Sequence, residues 1–162
     1  MVARCYYFGH GVTKNYKTAL KWAELADYYI GGLIYRDGGD GIEKDSTTVV
    51  EWFQEANHIF AEVCLGYMYY AGEGVDQSFS EARKLYERVL RNWRVEEFLA
   101  AEAKWKLGLM MLLKQGFEEV DYCKGIALIV EAAAEENADA KSYLGSTLSP
   151  QLLELKKHTD LK

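Results

Sequence analysis

Proline is almost missing from this chain of 162 residues; the single one is Pro150. Long stretches without it suit an all-α protein, since proline both removes a backbone donor and clashes inside a helix. Long hydrophobic runs are missing as well. No stretch approaches about 18 consecutive apolar residues, so no transmembrane helix and no membrane insertion is expected. Positive charge is in deficit: 19 Lys and Arg stand against 25 Asp and Glu, for a net charge of -6. Nucleic acid is held mainly by basic side chains, and no basic stripe occurs, so no nucleic-acid partner is expected. Histidine and cysteine are sparse. His10, His58 and His158 are scattered, with no H-E-x-x-H, no helical His pair and no C-x-x-C, so no metal and no cofactor is expected. Cys5, Cys64 and Cys123 are an odd number and read as free, small apolar residues in a reducing compartment.

Apolar residues make up 49% of the chain and aromatics 14%, which excludes disorder. The length is that of one domain, large enough to bury a core without staples. Met1-Val2-Ala3-Arg4-Cys5 has neither a basic n-region nor a continuous apolar h-region and is no signal peptide. A cytoplasmic protein is expected, or a periplasmic or secreted one if a leader has been trimmed.

What the chain does have is a phrase that recurs. Tyr6-x-x-Gly9-x-Gly11-Val12 is followed by Ala19-x-x-Trp22-x-x-x-Ala26. It returns as Tyr35-x-x-x-Gly39-x-Gly41-Ile42 with Val49-x-x-Trp52-x-x-x-Ala56. The third copy is Leu65-Gly66-x-x-Tyr69-x-x-Gly72-x-Gly74-Val75 with Ala82-x-x-Leu85. A degraded fourth runs from Leu107-Gly108 to Asp121-Tyr122-x-Lys124-Gly125-x-x-Leu128, and a fifth opens at Tyr143-Leu144-Gly145. The steps Trp22 to Trp52, Trp52 to Leu85 and Leu85 to Leu128 are 30, 33 and 43 residues. Self-similarity at this period means a solenoid, in which each unit is stable only against its neighbours.

These residues resemble Sel1-like repeats, relatives of the tetratricopeptide repeat. The third copy is close, with Ala61, Leu65, Gly66, Tyr69, Gly72, Gly74, Val75 and Ala82 in place. The first starts late, which leaves trimming open. The second has an extra glycine, Gly38, and the fourth lacks the G-x-G-V turn and has a longer lead-in over Arg91 to Ala100. The resemblance covers about residues 1–146. It implies a right-handed all-α solenoid of about four to five helix-turn-helix repeats. They divide at 1–27, 28–57, 58–94, 95–137 and a partial repeat with a capping helix over 138–162. It also implies a non-enzymatic adaptor or scaffold that binds a protein partner. Some bacterial members are immunity proteins that block a toxin, and that is the alternative. A hydrolase on this scaffold has no motif to support it.

The spacing predicts helices over 2–9, 15–27, 28–37, 46–57, 58–71, 78–92, 95–114, 121–136 and 138–147. Each repeat then has a first helix, A, and a second, B. Asn15, Asp45, Ser78 and Asp121 are the expected N-caps of the B helices. Trp22 and Trp52 sit among small residues and are expected to fill the gap between the paired helices. The glycine of each Leu-Gly pair costs roughly 1 kcal/mol in a helix interior, and close approach of the neighbouring helix is the expected return. Ser149-Pro150 reads as an N-cap with proline at the first helical position. Leu152, Leu153 and Leu155 would follow as a terminal capping helix. No such cap precedes the first repeat, so self-association through that end is kept open.

Gly38-Gly39-Asp40-Gly41-Ile42-Glu43-Lys44-Asp45 is the one loop that resembles a ligand site, but its spacing fits neither an EF-hand nor a P-loop and it falls where the other repeats turn. Leu109-Met110-Met111-Leu112-Leu113 is apolar all round, and reads either as covered by the terminal helix or as a partner patch. The expected partner surface is the concave face of the A helices. Counted from Gly66, its variable positions are Glu62, Tyr67 and Tyr70, with Arg4 and Tyr7, Arg36, and Lys104 as equivalents in the other copies. Tyr and Arg dominate interface hot spots; packing against the next repeat is the competing reading for the three tyrosines.

Overall fold

A computed structural model describes residues 1–147. Among them the architecture is all-α, in helix pairs of the solenoid class. In chain order the helices are α1 (Val2–Phe8), α2 (Tyr16–Ala26), α3 (Tyr28–Asp37), α4 (Ser46–Glu55), α5 (Ile59–Ala71), α6 (Phe79–Arg91), α7 (Glu97–Leu112) and α8 (Tyr122–Ala134). A further helix, α9, runs from 138 to the last described residue. Among the described residues the one β-type pairing is an isolated bridge between Gly39 and Ile42, in the turn that carries the extra glycine. The expected terminal helix after Ser149 lies outside the described residues, as does its cover over Leu109–Leu113.

The helix starts are set locally. Asn15 Oδ1 accepts from the Thr18 amide at 2.7 Å, Asp121 Oδ1 from that of Lys124 at 2.9 Å, and Ser78 Oγ from that of Glu81 at 3.3 Å. Asp45 accepts from both Thr47 and Thr48. Each satisfies an amide that the first helical turn leaves unpaired. Three further caps start helices outside the B set. Asp27 begins α3, His58 begins α5 and Asn137 begins α9, the last accepting from the Ala140 amide at 2.9 Å.

Glycine ends the A helices of the first three repeats, at Gly9, Gly38 and Gly72. Gly72 closes α5 in the left-handed region (φ 74°), and Gly74 (φ 71°) follows in the same region. Gly74 has a second reason to lack a side chain: a Cβ there would lie 2.3 Å from the Ser46 carbonyl at the start of α4.

The described chain forms two compact units, Met1–Leu85 and Tyr86 onward, with the division falling inside α6. In the first unit, α1 packs on α2, α2 on α3, α3 on α4 and α4 on α5. Its core is built from Ala19, Ala23, Ile30, Ile34, Val49, Phe53, Ala61 and Leu65, all essentially sealed from solvent. Small residues let the backbones approach. A Cβ on Gly32 would meet the Phe53 ring at 2.4 Å, and one on Gly31 the Trp52 ring at 2.0 Å.

Trp22, placed in the core by its repeat position, is 45% exposed. The reason lies in the helix beside it. Trp52 leans on Gly31 and against Tyr28 and Tyr35 of α3. At the same offset from Trp22 stands Met1, which precedes the seven-residue α1 and is 99% exposed. The indole has less helix to lie along.

In the second unit α7 and α8 pack as an antiparallel pair. A Cβ on Gly108 would fall 2.7 Å from Ile129 and 2.8 Å from the Gly125 carbonyl, so the two backbones nearly touch. Trp105, Ile129, Ala132 and Ala140 form the core here, with Tyr143 of α9 tilted over Trp105 at 5.6 Å. Met110 and Met111 of the apolar run are buried, while Leu113 is 55% exposed at the end of α7.

Candidate protein-binding surface

The A helices of the first unit are α1, α3 and α5, and side chains tie them together. Tyr7 of α1 donates its hydroxyl to Asp37 at the end of α3. Arg36, one residue earlier, pairs with Asp37 at 3.0 Å and lies close enough to Cys64 of α5 to pull its thiol pKa down. Arg4 of α1 pairs with Asp27, the cap of α3, at 3.2 Å. The face thus carries polar links from α1 to α3, with Cys64 of α5 beside them.

These links displace the acid–base properties of their members. Burial, together with the hydrogen bond to Asp37, pushes the Tyr7 phenol well above its ordinary range. Burial also raises Asp37, but hydrogen bonds from Tyr7 and Arg36 outweigh it and leave the carboxyl below its usual value. Burial pushes the Cys64 thiol up to about 11 against the pull of Arg36, so it is not an activated nucleophile.

Seven residues were expected on this face. Arg4, Arg36 and Tyr67 are there in accessible form, each with close to half of its side chain or residue surface open. Tyr7 is not: it is only 6% exposed, stacked on Tyr16 at 5.3 Å, and belongs to the core. Its position one turn after Arg4 points it at α2 and α3. Tyr70 is half-buried, edge-on to Phe79 at 5.5 Å. Glu62 is half-buried in the first turn of α5, where the helix dipole favours a carboxylate. Lys104 belongs to the second unit. Its ammonium is held between Glu131, at 3.2 Å, and Glu135 of the α8 C-terminus, so it is committed within the chain.

A depression of about 600 Å³ at the N-terminal ends of the same three helices was not foreseen. Arg4, Asp27, Tyr28, Tyr29, Glu55 and His58 contribute to its lining. Tyr29 and His58 stack in parallel with centroids 4.0 Å apart, and His58 Nδ1 accepts from the Phe60 amide at 3.3 Å, which fixes the ring. The signal was present in the repeat offset: Ala26-Asp27-Tyr28 and Ala56-Asn57-His58 are the same junction 30 residues apart. The arrangement offers stacking planes, donors and acceptors, which is recognition chemistry. Among the described residues no cluster of His, Cys, Asp or Glu is placed to hold a metal ion, and no helix is long and apolar enough to cross a membrane.

Paired helices in recurring units define an α-helical repeat protein. The Sel1 repeat model matches residues 1–26, 25–57 and 61–88, more than half of the chain, and the chain belongs to the Sel1 repeat family. Sel1 repeats commonly serve as protein-interaction modules and are typically non-catalytic.

Among solved structures the chain is similar to a Sel1 repeat protein from Oxalobacter formigenes, at 26% identity and a TM-score of 0.72, over 90% of this chain and 60% of that one. It is also similar in fold to c5321, a protective antigen of uropathogenic Escherichia coli strains. That match has 24% identity and a TM-score of 0.75, over 93% of this chain and 32% of that one. The chain therefore spans well under two thirds of the length of these structures. No curated protein matches it significantly.

Proposed function

We propose that the chain is a non-enzymatic adaptor that takes a protein partner on its A-helix face, with Arg4, Arg36 and Tyr67 as the contact residues. The observation that carries this reading is the fixed geometry of Arg36. Its guanidinium is half open to solvent, yet tied to Asp37 at 3.0 Å, with the Cys64 thiol of α5 close enough to feel its charge. An arginine held in place loses little side-chain freedom on binding, which is how a surface residue becomes a hot spot. Tyr67, 48% exposed on α5, adds a broad contact surface with few torsions to freeze.

The test begins with a pull-down using the chain as bait. Affinity for the captured partner is then measured for Arg36→Ala combined with Tyr67→Ala. The expected loss is at least about 1–2 kcal/mol on the hot-spot scale, with folding retained. Unchanged affinity moves the surface away from the A helices. An adaptor also holds two partners at once, whereas an immunity protein saturates with one enzyme and abolishes its activity; sedimentation of the mixed complex separates the two.

A further inference from the structure

The fourth repeat is longer than its neighbours, with 43 residues from Leu85 to Leu128 against 30 and 33 earlier, and part of the surplus lies in the α6–α7 connection. Packing the repeat does not require it. At its centre stands Trp93, 83% exposed. An indole left that open forgoes a large burial gain, since aromatic side chains bury 150–250 Å² each when packed.

The ring is held in this position by its surroundings. The Asn92 amide bonds the Val89 carbonyl at 3.1 Å, the Val95 amide the Asn92 carbonyl at 3.0 Å, and the Asn92 side chain accepts from the Arg94 amide at 3.0 Å. Arg94 lies over the ring with its guanidinium carbon 4.3 Å from the centroid. The last turn of α6 adds Arg88 and Arg91, spaced three apart on one face, and Arg91 is 74% exposed. Phe98, 55% exposed, follows on the first turn of α7.

We infer that this corner is a second docking surface, for an acidic segment of a partner protein that carries an apolar or aromatic side chain. Charge complementarity supports this occupant. From 87 to 94 three arginines face one carboxylate, in a chain whose net charge is -6. The carboxylate, Glu87, reaches Arg91 at 3.3 Å, an exposed pair that a better-placed partner carboxylate can replace at little cost. Glu96 and Glu97 start α7, where the helix dipole accommodates them, and bound the surface on that side. The partner's apolar side chain would cover the Trp93 plane while its carboxylates reach Arg88, Arg91 and Arg94 bidentately. This surface involves none of the A-helix residues.

The experiment pans a random peptide library on the full chain, after depletion on the variant Arg91→Glu/Arg94→Glu. The enriched peptide is synthesised with a fluorophore and its anisotropy followed on titration. The expected winners are rich in Asp and Glu with one Leu, Phe or Trp. Affinity should fall by at least about tenfold, a hot-spot loss, in Trp93→Ala and in the double arginine variant. It should be unchanged in Arg36→Ala/Tyr67→Ala, which separates this surface from the A-helix face. Matching circular dichroism melts establish that all variants fold. No enrichment, enrichment without acidic bias, or affinity indifferent to Trp93→Ala would each overturn the inference. So would binding of the chain to anionic phospholipid vesicles in place of the peptides.

Discussion

The Trp52 indole lies flat against Gly31, so close that a methyl group on that glycine would stand 2.0 Å from the ring. Gly31 has ordinary helical backbone angles, so its requirement is for space alone. Gly31→Ala should therefore destabilise by about 1–3 kcal/mol through overpacking. Trp52→Ala should cost about 3 kcal/mol, the low end for a tryptophan because the ring is only partly buried. The double variant should lose less than the sum. Denaturant midpoints of all four proteins close the cycle, and simple additivity would mean that the ring does not rest on Gly31.

Trp22 provides the contrast. At 45% exposure, Trp22→Ala should cost about 1 kcal/mol or less. A loss as large as that of Trp52→Ala would show that the ring is packed in solution.

Asp37 should make stability depend on pH. Its folded carboxyl lies below the usual value, so it stabilises the fold above the unfolded aspartate pKa of about 3.9, and that contribution is lost as pH falls through the depressed folded value. Asp37→Asn should be less stable than the parent by about 1–2 kcal/mol near neutral pH. The gap should close when both proteins are unfolded in urea near pH 3 or below. A gap independent of pH would remove the charge of Asp37 from the account.

Lys104 should act as a clamp between α7 and α8. Its stem and ammonium are only 19% exposed, and Glu135 only 23%. Lys104→Met leaves that carboxylate without its cation and should cost about 1–2 kcal/mol, reduced from the fully buried case because water still reaches the pair. Adding Glu135→Gln should recover part of the loss. Thermal melts of the three proteins decide it, and no recovery would place the cost in packing.

The cysteines should differ in reactivity. Cys123 is exposed, whereas Cys64 is half-buried with its thiol raised to about 11. Under native conditions a thiol reagent at pH 8 should label Cys123 first and Cys64 last, with all three reacting after unfolding. Early labelling of Cys64, read by peptide mass, would mean that α5 opens readily.

The elements that the sequence made legible are the ones governed by near neighbours. Asn15, Asp45, Ser78 and Asp121 cap because each bonds an amide two or three residues on, and that relationship is visible in a string of letters. Tyr7 shows the opposite case. Its partner Asp37 is 30 residues away, and only the folded chain reveals that the pair turns a presumed contact residue into core. Trp22 and Trp52 occupy the same repeat position, yet differ in burial because the helices beside them differ in length. Lys104, expected on the partner face, is instead held by two carboxylates that α8 brings to it. The depression beside Arg4 is not legible in the string because it forms only where helix starts about 30 residues apart come together.

The grooves cut by glycine have an order in the chain. Gly31 precedes Trp52, Gly32 precedes Phe53, and Gly108 precedes Ile129. Protein synthesis runs in that direction. In these three pairs the ribosome releases the slot before the bulky group that closes it, whereas Leu112 precedes its slot at Gly125. At Gly31 and Gly32 a nascent chain thus carries a shallow empty notch instead of a loose indole or phenyl ring, and Trp52 and Phe53 emerge with their seats already made. The geometry that packs the finished repeats also limits how long a sticky surface is on view while they are being built.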